Sequence, residues 1–175
     1  MLDGKKIRLV PLEECHLDDI MKGFNNPEMR KFLGGYMPVT REAEREWIQS
    51  CQRQMMNRTG FVYVIEDTVD HRFIGSVSLN GIDWLSKSSG IGIAIHRPED
   101  WDKGYGTEAM QMLIDFGWQH LNLRRIELSV HSFNPRARHM YEKLGFKLWG
   151  TAHRKLFVDG EYHDTHYMEL FRENE

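Results

Sequence analysis

Between Gly90 and Ala109 the chain reads GIGIAIHRPEDWDKGYGTEA, and this stretch restricts the fold more than any other. Its first half alternates Ile91, Ile93 and Ile95 with Gly92, Ala94 and His96, the period-two pattern of a strand. One face is bulky. The other is nearly bare until His96, so backbone or ligand can approach closely there. Arg97-Pro98 ends the strand, because proline has no amide hydrogen and restricts the residue before it. Lys103-Gly104-Tyr105-Gly106-Thr107 then leads into a helical pattern. The two glycines let the backbone turn so that several N–H groups converge on one point. The helix start adds its unpaired amides and the positive end of its dipole. Strand, glycine turn and helix in succession make a cradle for a pyrophosphate.

Two other phosphate loops fit this segment poorly. No Gly-Lys-Ser/Thr follows, which excludes a nucleoside triphosphate P-loop. A dinucleotide fingerprint allows alanine at its third position, here Ala109, but it belongs to a doubly wound parallel sheet. The strands before the loop predict something else. Phe61–Ile65, Phe73–Ile82 and Gly90–His96 follow one another across short polar connections, which reads as an antiparallel meander.

The remaining elements surround this meander. Ile7–Leu12 reads as a first strand, His16–Asn25 as a helix, and Asn26–Phe32 as a second helix set off by Pro27. Thr40 is placed to cap a helix running to about Asn57, with Glu42 and Glu44 in its first turn and Trp47, Ile48 and Cys51 on one face. After the loop come a helix at Thr107–His120, a strand at Ile126–His131 and a helix at Asn134–Leu144. The last has Asn134 as cap, Pro135 at its first position and Gly145 beyond its end. Phe146–Phe157 and Tyr162–Phe171 form a hairpin across Asp159-Gly160. The expected fold is α+β, a single domain over residues 1–175.

Bulk properties narrow the function. With 175 residues and 41% hydrophobic content the chain can bury a real core. A net charge of -3 gives no general surface for nucleic acid. No run approaches the ~20 apolar residues of a membrane span, and MLDGKKIRLV lacks a signal-peptide core. A cytoplasmic location is the default expectation, with Cys15 and Cys51 reduced. The nine histidines form no metal motif, since His163 and His166 face opposite sides of a strand. No metal is expected. Oligomeric state stays open, a homodimer or larger homo-oligomer included.

The strand–WDKGYGTEA–helix segment resembles the acyl-CoA loop of the GNAT superfamily of N-acetyltransferases. NPRARHMYEKLGF (Asn134–Phe146) is similar to that superfamily's second signature. LFVDGEYHDTHYMEL, and the opening LVPLEECHLDDIMKGFNNPEMRKFLG, resemble its ribosomal-protein-alanine and spermidine N-acetyltransferase branch. The resemblance spans essentially the whole chain. It implies a mixed, mostly antiparallel sheet with helices on both faces and a V-shaped splay between the fourth and fifth strands. Acetyl-CoA would be the cosubstrate, its pantetheine arm lying against the exposed edge at Ala94, Ile95 and His96. Backbone N–H groups of Lys103, Gly104, Tyr105, Gly106 and Thr107 would hold the pyrophosphate, Trp101 and Asp102 belong to the same cofactor loop, and Asn134, Arg138 and Tyr141 would complete the site. Trp101 stands where the superfamily usually has Gln or Arg. Asp102 stands where it often has Gly, so the carboxylate is expected to point away from the phosphates.

The implied reaction is direct attack of an amine on the thioester. An alkyl ammonium must first lose a proton, at a cost on the order of 4–5 kcal/mol at neutral pH. Tyr141 alone reads as a core aromatic on a helical stripe. The resemblance makes it the general acid to the leaving thiolate. Asp83, His96 and His131 are candidates for the base, alongside a chain of waters. His96 is the least arbitrary because it ends the cofactor strand. The acceptor is expected to be a primary amine, a protein N-terminus such as that of a ribosomal protein or a small amine. Spermidine or another polyamine is the alternative, and amino sugars and antibiotic amines stay open. The acceptor would be selected by residues around Gly23–Met37 and by the C-terminal hairpin. Glu13, Glu14, Asp18 and Asp19 could attract a polyamine, but they read first as favourable charge at a helix start. Two other classes are an acyl-CoA-binding regulatory module without catalysis and a nucleotide-binding protein.

Overall fold

The computed structural model describes residues 2–33 and 38–172. One eight-stranded sheet carries everything else. Its strands are β1 (Leu2–Asp3), β2 (Ile7–Pro11), β3 (Gly60–Asp67), β4 (Phe73–Asp83), β5 (Ser88–Ile95), β6 (Arg125–His131), β7 (Lys147–Val158) and β8 (Glu161–Phe171). They lie in the order β1-β2-β3-β4-β5-β6-β8-β7. Every pairing is antiparallel except β5 with β6. The short β1 precedes the first strand expected from sequence, so the expected fourth and fifth strands are β5 and β6.

Among the described residues five α-helices cover the two faces: α1 (Leu17–Phe24), α2 (Pro27–Arg30), α3 (Arg41–Met56), α4 (Tyr105–His120) and α5 (Pro135–Lys143). Side chains alternate across a strand, so each face has its own core. Tyr63 and Ile65 of β3 join Val77, Leu79, Ile91, Ile126, Leu128 and Val130 beneath α4 and α5. Val62 and Val64 join Leu17, Ile20, Ile48 and Cys51 beneath α1 and α3. The expected caps form. Thr40 Oγ1 accepts from Ala43 N at 3.2 Å, and Asn134 Oδ1 accepts from Ala137 N at 3.2 Å. Asp159 and Gly160 take φ of 50° and 85°, the left-handed pair that a tight hairpin turn requires.

The parallel pair positions the site. β5 and β6 are joined only at Ser88–Arg125, Ser89–Ile126 and Gly90–Glu127. Beyond Gly90 and Glu127 the strands are no longer paired, although β5 runs on to Ile95 and β6 to His131. β5 therefore lacks a β6 partner along Ile91–Ile95, and backbone groups on that edge, apart from the Ile95 carbonyl, are free for another partner.

Candidate active site

A cavity of about 680 Å³ opens where β5 and β6 part. Its walls include Ile91–Ile95 of β5, Ser129–His131 of β6, the loop before α4, and Asn134, Arg136, Met140 and Tyr141 at α5. Met29, Phe32 and Leu33, from α2 and the turn after it, also line it.

The loop is held from three sides. Asp100, 1% exposed at its side chain, receives both terminal nitrogens of Arg72 at 2.7 and 2.8 Å, with Lys103 Nζ at 3.5 Å. Burial alone would raise the Asp100 carboxyl, but the hydrogen bonds and charge of Arg72 outweigh it and hold it below the usual carboxylate range. Lys6 Nζ donates to the Lys103 carbonyl at 2.9 Å. Glu108 accepts the amides of Lys5 and Lys6, which ties the β1–β2 turn to the first turn of α4. Gly104 takes φ 86° and ends the loop, so α4 begins at Tyr105, two residues earlier than expected. The first helical bond is Glu108 N to Gly104 O at 3.0 Å. The amides of Tyr105, Gly106 and Thr107 precede it and have no acceptor within the helix. Gly106 packs near Met140, Ile93 and Ile95, where a Cβ would sit in ordinary contact at 3.4–3.7 Å.

Most of the expected residues meet at this cavity: Ala94, Ile95, Trp101, Asp102, Gly104, Tyr105, Gly106, Thr107, Asn134 and Tyr141. Trp101 serves the strand edge, since its Nε1 donates to the Ile95 carbonyl at 3.0 Å. Tyr105 Oη donates to Asp67 at 3.1 Å. Tyr141 is 7% exposed, and burial pushes its phenol up to about 12. Its hydroxyl makes no hydrogen bond to the described residues, so it is available to a ligand.

Three expectations are corrected. His96 does not line the cavity. It follows Gly92 and Ala94 on the α1 face, packed on Phe24 at 4.8 Å and Phe73 at 4.9 Å, under a bare Gly23. Burial pushes its pKa down to about 4, with a smaller opposing pull from Asp19, and neither ring nitrogen makes a hydrogen bond of normal geometry. A sealed neutral imidazole cannot exchange protons with the cavity, which counts against His96 as the base. Arg138 points out of the site and pairs with Glu142 at 2.9 Å. Arg136 lines the cavity instead, its guanidinium 3.7 Å from the centre of the Trp101 ring. Lys103 turns its side chain to Asp100 and reaches a shallow hollow behind the loop rather than the cavity.

Asp83 also leaves the list of bases. Its oxygens accept from Leu85 N, Ser86 N and Ser86 Oγ at 2.7–2.9 Å and cap the β4–β5 turn. His131 stays. It lines the cavity and its Nδ1 lies 3.2 Å from Thr165 Oγ1. Three of the four acidic residues near α1 are paired: Asp18 with Arg41, Asp19 with Lys22 and Glu14 with Arg45. Of the expected acceptor segment, Met29, Phe32 and Leu33 reach the cavity, and residues 34–37 lie outside the described residues. No described residue of the hairpin lines the cavity. Asp100, Arg72 and Lys6 escaped sequence reasoning because each acts through a partner 28 or more positions away.

Residues 6–147 match the family model described as "Acetyltransferase (GNAT) domain". The chain belongs to the GNAT acetyltransferase family. This GNAT chain is 27% identical over 172 residues to a spermidine N(1)-acetyltransferase of Escherichia coli K12, covering 98% of this chain and 89% of that one. It superposes with a TM-score of 0.86 and 26% identity on a Vibrio cholerae spermidine N-acetyltransferase in complex with CoA and spermine, over 96% of both chains. Another Vibrio cholerae spermidine N-acetyltransferase structure, described as dodecameric, matches with a TM-score of 0.78. The fold is the mixed GNAT sheet, and the chain is an N-acetyltransferase. Among the described residues no helix is long and apolar enough to cross a membrane, and no group of three or more metal-ligating side chains occurs.

Proposed function

We propose that this enzyme transfers the acetyl group of acetyl-CoA to a terminal primary amine of a short polyamine such as spermidine. The observation that carries it is one cavity whose wall brings together the helix-start residues Tyr105–Thr107, Tyr141 and the aromatic rings of Phe32 and Trp101. The amides of Tyr105–Thr107 bind the pyrophosphate. The unpaired edge of β5 binds the pantetheine amides in the manner of an added strand. Asn134 spends its carbonyl oxygen on the cap and keeps its NH₂ for the ligand. The amine nitrogen attacks the thioester carbon, the C–S bond breaks, and Tyr141 gives its proton to the thiolate.

For the acceptor, the relatives favour the spermidine alternative over a protein N-terminus. Phe32 and Trp101 give aliphatic carbons and ammonium groups aromatic surfaces to lie on. Asp102 has no ion-pair partner among the described residues and lies at the cavity, where it can meet a second ammonium. The test is thiol release from acetyl-CoA with spermidine, spermine, simple monoamines and ribosomal-protein N-terminal peptides. Turnover with polyamines above the other amines is expected. Preference for the peptides would overturn the acceptor, and no thiol release with any amine would leave a binding module.

We also propose that copies associate through the β7–β8 hairpin. Trp149 is 53% exposed, and Phe157 and Tyr162 are each 58% exposed. Light scattering should give a mass above the 20.7 kDa chain.

A further inference from the structure

We propose that His131 is the base that takes the proton from the incoming amine, with Thr165 holding one ring nitrogen and the other open to the cavity. The inference rests on the transfer reading above and names the group that it lacks.

His131 is the last residue of β6, on the part of the strand that has left β5. Ile126, Leu128 and Val130 of that strand belong to the core shared with Tyr141. Ser129 and His131 therefore face the other side of the sheet. An aromatic run leads from there to the acceptor end: His131 stacks on Phe133 at 5.5 Å and 20°, and Phe133 stacks on Phe32 at 6.1 Å. Acid and base thus line one cavity from opposite faces of the sheet. This is the arrangement a transfer needs, because the proton leaves the nucleophile on one side and reaches the leaving group on the other.

Thr165 fixes the ring. It lies opposite His131 in the β6–β8 register and is 3% exposed. When Thr165 Oγ1 accepts from Nδ1–H, the lone pair is on Nε2, the nitrogen left for the cavity. The surroundings keep that lone pair free. Burial is the largest influence lowering the affinity of the ring for a proton, followed by the charges of Lys155 on β7 and His163 on β8. Arg136, His139 and Lys143 of α5 line the same cavity. The carboxylates there are Asp100, bound to Arg72, and Asp102. The same cations disfavour an ammonium at the reacting end, so the substrate gives up its proton more readily.

The step balances. His131 Nε2 takes one proton from R–NH₃⁺, and the freed nitrogen pair bonds to the acetyl carbon. The carbonyl re-forms as the C–S bond breaks with its pair on sulfur. Tyr141 protonates the sulfur and is itself reprotonated by the proton lost from the new amide nitrogen. His131 releases its proton to solvent.

The test is the pH profile of kcat with spermidine for the wild type, His131→Gln and Thr165→Val. The wild type should lose activity along an acid limb that lies below the ordinary imidazole value of about 6.5, since burial lowers that of His131. His131→Gln should lower kcat roughly 100-fold and lose that acid limb, with the acetyl-CoA KM and calorimetric CoA binding unchanged. Thr165→Val should remain active with its acid limb moved, and decides the matter should His131→Gln fail to bind CoA. His131→Gln with wild-type kcat, or an acid limb that neither variant alters, would overturn the proposal while acetyl transfer stands. A wild type that releases no thiol with any amine refutes the transfer reading first.

Discussion

Replacing Tyr141 by Phe separates the chemistry from the fold. The ring is buried and packs edge-on to Phe146 at 6.1 Å, and Phe keeps that contact. The hydroxyl makes no hydrogen bond to a described residue, so its removal leaves no partner unsatisfied. The change in stability should stay below about 1 kcal/mol. Loss of the acid to the thiolate should lower kcat by roughly 10²–10⁴, or about 3–5 kcal/mol in the barrier. Acetyl-CoA binding should not change, since the amides of Tyr105–Thr107 and the β5 edge remain. Burial pushes the phenol up to about 12, so the wild type keeps this proton across the usual assay range. The deficit of the variant should therefore be the same at neutral and mildly alkaline pH. The assay is thiol release read with a disulfide reagent. Cys15 is exposed and must be titrated first, whereas Cys51 is buried. A Tyr141→Phe enzyme that turns over at the wild-type rate, or a deficit that vanishes as pH rises, refutes the assignment.

Gly104→Ala must hold a side chain at φ 86°, a strain of about 1–2 kcal/mol; a several-fold rise in acetyl-CoA KM with kcat retained is expected from steady-state kinetics. Lys6→Met removes the 2.9 Å support of the Lys103 carbonyl and should raise the same KM while leaving the polyamine KM unchanged. Glu44 is 3% exposed, and burial raises its carboxyl from 4.5 to about 7. A raised folded pKa means that stability is greatest below about pH 4.5 and is lost as pH climbs through 7, by up to about 3 kcal/mol. Glu44→Gln should remove that decline in denaturation curves taken across the range.

Local signals carried most of the fold. Thr40, Asn134-Pro135 and Asp159-Gly160 act through neighbours within a few positions, and each element forms where those residues require it. The start of α4 was misread because Gly104 serves as both turn and cap. A left-handed glycine lets the helix begin at the next residue, and the sequence marks the turn but not its hand. β1 is two residues long, too short for any period to register. The loop supports are illegible for another reason. Arg72, Asp100 and Lys6 are ordinary charged residues until the sheet brings them together, and nothing local distinguishes Asp100 from Asp102.

The choice between His96 and His131 shows what strand alternation can and cannot decide. Both histidines lie at or just beyond the ends of the two diverging strands, and alternation puts each on the face away from α4. On sequence alone they are equivalent, and His96 has the better claim because it ends the strand with the cofactor edge. The difference lies in what covers that face. Above His96, Gly23 of α1 presents no side chain, so helix and strand close until the imidazole is sealed between Phe24 and Phe73. Above His131 the neighbour is Phe133, itself stacked on Phe32, and the ring stays at the wall of a cavity. Gly23→Ala would place a methyl group within 2.0–2.5 Å of the His96 ring and must push α1 away. The expected result is lower stability with kcat per folded molecule preserved. A kcat that fell with intact folding would return His96 to the mechanism.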